Sequence, residues 1–267
     1  MIDSLRHRMK RMQRDGRMPW LTSLASYGWY QSKNAKDWLR MPEVRRALDG
    51  GDVPEDVEGL VAFVMDRFDG IVRPLQDRAE ITALVAELME RRPQTVLEVG
   101  TARGGTLFLL CRAAHPEATI ISLDLPYARN GGGFPEWKQD VYRRFARPGQ
   151  TLHLVRGNSH ELGSRDRVVG LLGGRPLDFI LIDADHSYDG VKRDFELYYP
   201  LLAPDGLLAM HDVMHNPHDP TIDVHRFWTE LQATLETREL ATSRRRFGIG
   251  LVPAGQRFEA AVDTAPV

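Results

Sequence analysis

The 267-residue chain has a single cysteine, Cys111. One thiol excludes an internal disulfide and suits a reducing compartment, so the sequence points to the cytoplasm. Cys111 closes the apolar run Leu107-Phe108-Leu109-Leu110-Cys111 and reads as a buried structural thiol rather than a nucleophile. No apolar stretch approaches the roughly 20 residues that a membrane-spanning helix needs. An excess of charge is missing as well: 35 Lys and Arg stand against 37 Asp and Glu, a formal charge of -2. That balance gives no general attraction to nucleic acid or to an anionic membrane, so neither is an expected partner. Phosphate-loop spellings are also lacking. The glycine turn Gly100-Thr-Ala-Arg-Gly104-Gly105-Thr106 has no terminal Gly-Lys-Ser or Gly-Lys-Thr, and Ala102 breaks the G-x-G-x-x-G dinucleotide pattern. Internal repeats and low-complexity segments are absent too.

What remains is ordinary globular material, 42% hydrophobic and 27% charged, enough for one α/β domain with an extension. Texture changes near residue 78. Residues 1–78 read as an N-terminal helical extension, serving as a lid or in oligomerisation. Its first 20 residues carry six Arg or Lys against two Asp, with Ile2, Leu5, Met9 and Met12 at helical spacing. This basic amphipathic helix is expected to pack on its own protein or on a second subunit, which makes a homo-oligomer the expected state; binding to a membrane surface is the alternative, and Asp3, Asp15 and the scarcity of serine argue against a transit peptide. Trp20, Tyr27, Trp29, Tyr30 and Trp38 suggest the core of a small helical subdomain or, alternatively, the wall of a substrate pocket.

Residues 79–267 alternate β-rich and helical runs. Strands are expected at 95–100, 119–125, 152–157, 177–184, 206–213 and 247–253. Helices are expected near 79–91, 104–114, 136–146, 162–173, 188–202 and 222–236. This alternation implies right-handed βαβ units and a doubly wound, Rossmann-like, mostly parallel sheet. Such sheets bind ligands beyond the carboxyl ends of their strands. Glu98 and the glycine turn follow the first strand, and a carboxylate there suits a ligand with positive charge better than a pyrophosphate. Asp124 follows the second strand, placed to hold the two hydroxyls of a ribose. Asn158, Ser159 and His160 follow the third, Asp183, Asp185 and His186 the fourth, and His211 and Asp212 the fifth. Paired acidic and histidine-bearing strand tips are costly unless they bind or react with something.

The series VLEVGTARGGT, ISLDLP, GNSH, LIDADHSY and LLAPDGLLAMHDV resembles the class I S-adenosylmethionine-dependent methyltransferases over about residues 76–253. Within them it is most similar to the catechol and caffeoyl-CoA O-methyltransferase-like branch, whose bacterial members include sugar- and antibiotic-tailoring proteins, some labelled cephalosporin hydroxylase-like. The resemblance implies that Glu98, Gly100 and Gly104 cradle the methionine moiety. It implies that Asp124 takes the ribose, and that Asn158 and Ser159 lie beside the adenine. It makes Asp183 a metal ligand that also faces the cofactor. Two positions depart from the branch. His186 stands where relatives carry a lysine base, and His211-Asp212 where they carry Asp-Asn. The implied metal set is therefore Asp183, His211 and Asp212, with zinc, iron or manganese better matched to histidine than magnesium; the alternative is that the metal is absent and His211 acts as a base.

The reading is an O-methyltransferase acting on a small natural-product or sugar hydroxyl, with His186 or His211 as base and Asp183 orienting the acceptor or metal. A metal-dependent hydroxylase or oxidoreductase, and a non-catalytic binding protein, are the alternatives. The loop 126–140, containing Gly131, Gly132 and Gly133, is either a mobile cover or a plain excursion. Gln76 and Glu80 open the helix before the cofactor strand, where the resembled family often carries similar residues, although capping explains Glu80 equally well. His215 and His218 suggest a surface turn. Arg244 to Arg246 suggest a solvated surface or a phosphate contact.

Overall fold

Runs rich in Val, Ile and Leu make the parallel part of a sheet: β1 (Thr95–Val99), β2 (Thr119–Asp124), β3 (Thr151–Arg156), β4 (Leu177–Ile182) and β5 (Leu202–His211). The computed structural model describes residues 35–127, 133–217, 219, 221–240 and 247–258. The basic segment 1–20, Tyr27, Trp29, Tyr30, Gly131, Gly132, His218 and Arg244 to Arg246 lie outside them. Two more strands, β6 (Arg238–Leu240) and β7 (Ile249–Pro253), complete the order β3-β2-β1-β4-β5-β7-β6. β7 runs antiparallel to both β5 and β6. β6 is absent from the sequence expectation because three edge residues are too few to show a period of two.

Helices cover both faces, as a parallel sheet requires. They are α1 (residues 35–49), α2 (Val57–Asp66), α3 (Arg78–Arg91), α4 (Gly105–Ala113), α5 (Gln139–Arg143), α6 (Leu162–Leu172), α7 (Tyr188–Tyr198) and α8 (Val224–Thr234). Alternation along β1 and β2 sorts the core. Val96 and Ile120 pack with α1 to α4, through residues such as Val44, Val64, Leu84 and Leu107. Leu97, Val99, Ile121 and Leu123 pack with α6 to α8, through Val168, Phe195 and Trp228. Cys111 is fully buried on α4, and burial pushes its thiol up to about 12, as a structural role demands. The helix expected over 136–146 is shorter: a 3-10 turn at Glu136–Lys138, then α5, which ends as Arg144 N–H bonds back to Val141.

Asp56, Asp77 and Ser187 cap α2, α3 and α7 through side-chain oxygens, each contributing on the order of 1 kcal/mol. Glu80 is therefore not the cap of α3. It is fully buried, and its Oε1 accepts the Gly248 N–H at 3.1 Å. No helix among the described residues is long and apolar enough to cross a membrane. The strand order reverses between β1 and β4, so the crevice of a doubly wound sheet falls at their carboxyl tips.

Candidate cofactor and catalytic site

The β1 and β4 tips touch. Asp183 N–H donates to Val99 O at 2.8 Å, and Gly100 N–H donates to Leu123 O at 2.9 Å. Gly100 has φ +96°, and a Cβ there would lie 2.1 Å from Asp183 O. Gly104 has φ +81°, and a Cβ there would lie 2.6 Å from the Tyr142 ring. From sequence both glycines are expected to admit a ligand; their immediate neighbours in the structure are protein. Tyr142 also donates its hydroxyl hydrogen to Ala102 O at 3.0 Å, so α5 braces the outside of the turn.

Glu98 points from β1 into this junction and is 0% exposed. Among the described residues, neither carboxylate oxygen has a hydrogen-bond partner of good geometry. Burial pushes its pKa well above the ordinary carboxylate range, and the nearby Asp124 and Asp183 push it further. The Thr101 side chain counters this only in part, because its hydroxyl is shared with Ser122 Oγ at 2.5 Å. Asp124 stands at the β2 tip as expected, but backbone amides occupy it. Its Oδ2 accepts from Thr101, Ala102 and Gly133 N–H at 2.9, 2.7 and 3.1 Å, and Oδ1 accepts from Leu125 N–H at 2.7 Å. Burial lifts its pKa to about 6 despite those four donors. Asp124 therefore staples the glycine turn as well as facing the crevice.

After β3, Asn158 Oδ1 accepts His160 N–H at 3.1 Å and shapes the loop. Ser159 is buried, and its carbonyl accepts the Tyr198 hydroxyl at 2.8 Å. His160 Nε2 lies 3.6 Å from Oδ1 of the fully buried Asp194 on α7. The loop expected beside the adenine is thus pinned to α7.

The fourth and fifth strand tips bring Asp183, His186, His211 and Asp212 together. Asp183 Oδ1 accepts from His211 Nδ1 at 3.1 Å and lies 3.4 Å from His186 Nε2. His186 Nδ1 lies 3.2 Å from Asp212 Oδ2. Asp212 has φ +62°, a left-handed conformation uncommon for a side-chain-bearing residue and typical of functional tips. Phe247 stacks on the His211 ring at 5.8 Å. Burial alone would lower the His211 imidazole, but the charges of Asp212 and Asp183 outweigh it and lift the pKa to about 9. Burial likewise opposes the His186 cation, and the hydrogen bond to Asp183 and the charge of Asp212 raise it on balance. Burial opposes the Asp183 anion too, yet the charge of His211 and the two histidine hydrogen bonds hold it below its ordinary range. Asp183, His186 and Asp212 offer ligand atoms within 4.8 Å of one another, close enough to share one cation.

Residues 97–213 match a family described as "Methyltransferase domain". This stretch of the chain is similar to a methyltransferase domain. It is 28% identical over 145 residues to the protein y4gI of Sinorhizobium fredii, covering 53% of this chain. The match spans only about 15% of that relative's length. Among solved structures it is similar to cofactor-bound Rv0187 from MTB, with TM-score 0.52, 16% identity, and coverage of 82% of this chain and 90% of the other. It is also similar to an O-methyltransferase from Bacillus cereus in complex with S-adenosylhomocysteine, with TM-score 0.50, 18% identity, and coverage of 80% and 90%. At these identities the likeness establishes the methyltransferase fold.

Within the matched region, Asp183, His186 and Asp212 bring their ligand atoms within 4.8 Å of one another, and His211 Nδ1 lies 3.1 Å from Asp183 Oδ1 and 3.6 Å from Asp212 Oδ1 beside them. Sequence reasoning singled out Gln76 by its place before the first strand but named no partner for it, and gave no role to the Thr106 or Tyr142 side chain. Gln76 reaches Asp183 across 107 residues of chain, a separation at which no local pattern exists to read.

Proposed function

We propose that this protein transfers the methyl group of S-adenosylmethionine to a hydroxyl oxygen of a small molecule. The observation that carries the reading is Glu98, a fully buried carboxylate beside a glycine turn at the switch point, with no hydrogen bond of good geometry to either oxygen among the described residues. A buried carboxylate left unpaired is costly, and a ligand with an ammonium group supplies the missing partner. The methionine end of S-adenosylmethionine carries such a group. Asp124 Oδ1, which accepts only the adjacent Leu125 N–H among the described residues, is the oxygen left for a ribose hydroxyl. Asn158 and Ser159 would lie beside the adenine.

When bound, S-adenosylmethionine supplies an electrophilic methyl carbon on sulfur, and the acceptor oxygen must meet it in line. His186 has a side chain 36% exposed and is the imidazole that an acceptor hydroxyl can reach. His211, at 3%, lies behind Asp183 and orients that carboxylate. With no ion bound, His186 would take the hydroxyl proton, and the hydrogen bond to Asp183 and the charge of Asp212 that raise its pKa strengthen it as a base. Where Asp183, His186 and Asp212 instead hold a divalent ion, His186 would be a ligand and not the base, and the ion's charge would favour loss of the hydroxyl proton to solvent. Two carboxylates and an imidazole match zinc, manganese or iron better than magnesium. The acceptor class, a small natural-product or sugar hydroxyl, and a homo-oligomeric state remain part of this proposal.

Isothermal titration with S-adenosylhomocysteine tests the reading, on the purified protein before and after chelation and on Glu98→Gln. Micromolar binding is expected in the wild type, weakened about tenfold or more by loss of the charged pair in Glu98→Gln. Absence of binding by the wild type, with or without zinc or manganese, would sink the proposal. Asp124→Ala is a poorer probe, because it also removes the staple of the turn.

A further inference from the structure

Gln76 lies in the loop before α3 and is 5% exposed. Its Nε2 donates to Asp183 Oδ2 at 2.6 Å, and its Oε1 accepts from Thr106 Oγ at 3.1 Å. Thr106 belongs to the first turn of α4, directly after the glycine turn. A carboxylate only accepts, so the amide nitrogen must face Asp183; the carbonyl then faces Thr106, whose hydroxyl must donate. Every hydrogen in this chain of contacts has a fixed direction. A second observation shows the loop clamped to the turn independently. A Cβ on Gly105 would lie 2.0 Å from Val72 O and 2.5 Å from Pro74 Cδ, so loop and turn are already in backbone contact. Helix capping does not explain Gln76, since Asp77 caps α3.

Resting on the cofactor reading above, we propose that Gln76 is a positioning residue that couples the glycine turn to Asp183. By holding Oδ2, it leaves Oδ1 as the oxygen that faces His186 and His211. The turn that receives the methionine end and the carboxylate that orients the acceptor then share one geometry. A shift of Thr106 on ligand binding is passed through a rigid planar amide to Asp183.

The test uses S-adenosylhomocysteine as the probe, titrated into the full chain and into Thr106→Val, Thr106→Ser, Asp183→Ala and the Thr106→Val/Asp183→Ala double variant. Thermal melts establish that each is folded. Thr106→Val should weaken binding about fivefold when Asp183 is present and have little effect when it is Ala, the non-additivity expected of residues in one hydrogen-bond network. Thr106→Ser, which keeps the hydroxyl, should retain wild-type affinity. In a Gln76→Leu background the effect of Thr106→Val should disappear. Additive effects of Thr106→Val and Asp183→Ala, in a wild type that binds, would overturn the relay and leave the cofactor reading intact. A wild type that does not bind the probe would overturn both. If Gln76→Leu fails to fold, the Thr106 and Asp183 pair still decides the question.

Discussion

His211 is 3% exposed and faces two carboxylates, so its proton belongs to the folded state. Its ordinary pKa is 6.5 and its folded value about 9, and a raised pKa adds stability in full below 6.5. That contribution is lost as pH rises through about 9. Asp183 behaves oppositely: held below its ordinary 3.8, it contributes above that value and its contribution fades in acid. The metal-free protein is therefore expected to be most stable between these limits. Between pH 6.5 and 9.5 the His211 contribution lost amounts to about 2–3 kcal/mol. Circular-dichroism melts in the presence of a chelator measure this. His211→Asn should flatten the alkaline slope; an unchanged slope would show that another group is responsible.

At the scale of elements, the glycine turn is held from outside by α5 and from below by the β2 tip. Tyr142 and Phe145 stack at 5.2 Å and close over Gly104. Ala in place of Gly104 must adopt φ near +81° and push its Cβ into the Tyr142 ring. The left-handed backbone and the overpacking together cost about 2–4 kcal/mol, or a melting temperature roughly 5–10 °C lower. Differential scanning calorimetry on Gly104→Ala checks this; a variant as stable as the wild type would mean that the turn has slack the contacts do not show.

Across the molecule, α1 is joined to the segment that follows β2. Lys138 Nζ and Asp37 Oδ2 pair at 2.8 Å with side chains 3% and 10% exposed. Arg45–Asp140 and Arg144–Asp49 join the same two regions at the surface. Exposed pairs contribute about 0–1 kcal/mol each, so the buried pair dominates. Burial lowers the Lys138 ammonium and Asp37 opposes that shift. Asp37→Ala leaves a buried charge alone and should cost about 3–5 kcal/mol, while the Asp37→Leu/Lys138→Met pair should recover most of the loss. Urea titrations of the three proteins measure it. Equal stability of single and double variants would show that the pair does not hold α1 in place.

The order of strands and helices from 79 onward was legible because burial on both sheet faces leaves nearly continuous apolar runs, as in Leu177–Ile182. The residues at the strand tips were legible for a related reason: a carboxylate at the end of an apolar strand, as at Glu98 and Asp124, is costly unless it has work there. By itself, then, the sequence determined the doubly wound class, the crevice, and the set of acids and histidines that line it. Tertiary structure alone decided how those groups are paired. That Asp124 is filled by amides from another turn, that His186 and Asp212 meet, and that Gln76 binds Asp183 are contacts between distant segments. Periodicity reports which way a side chain faces; it carries no record of which distant partner meets it there, because that depends on how the strand tips come together in space.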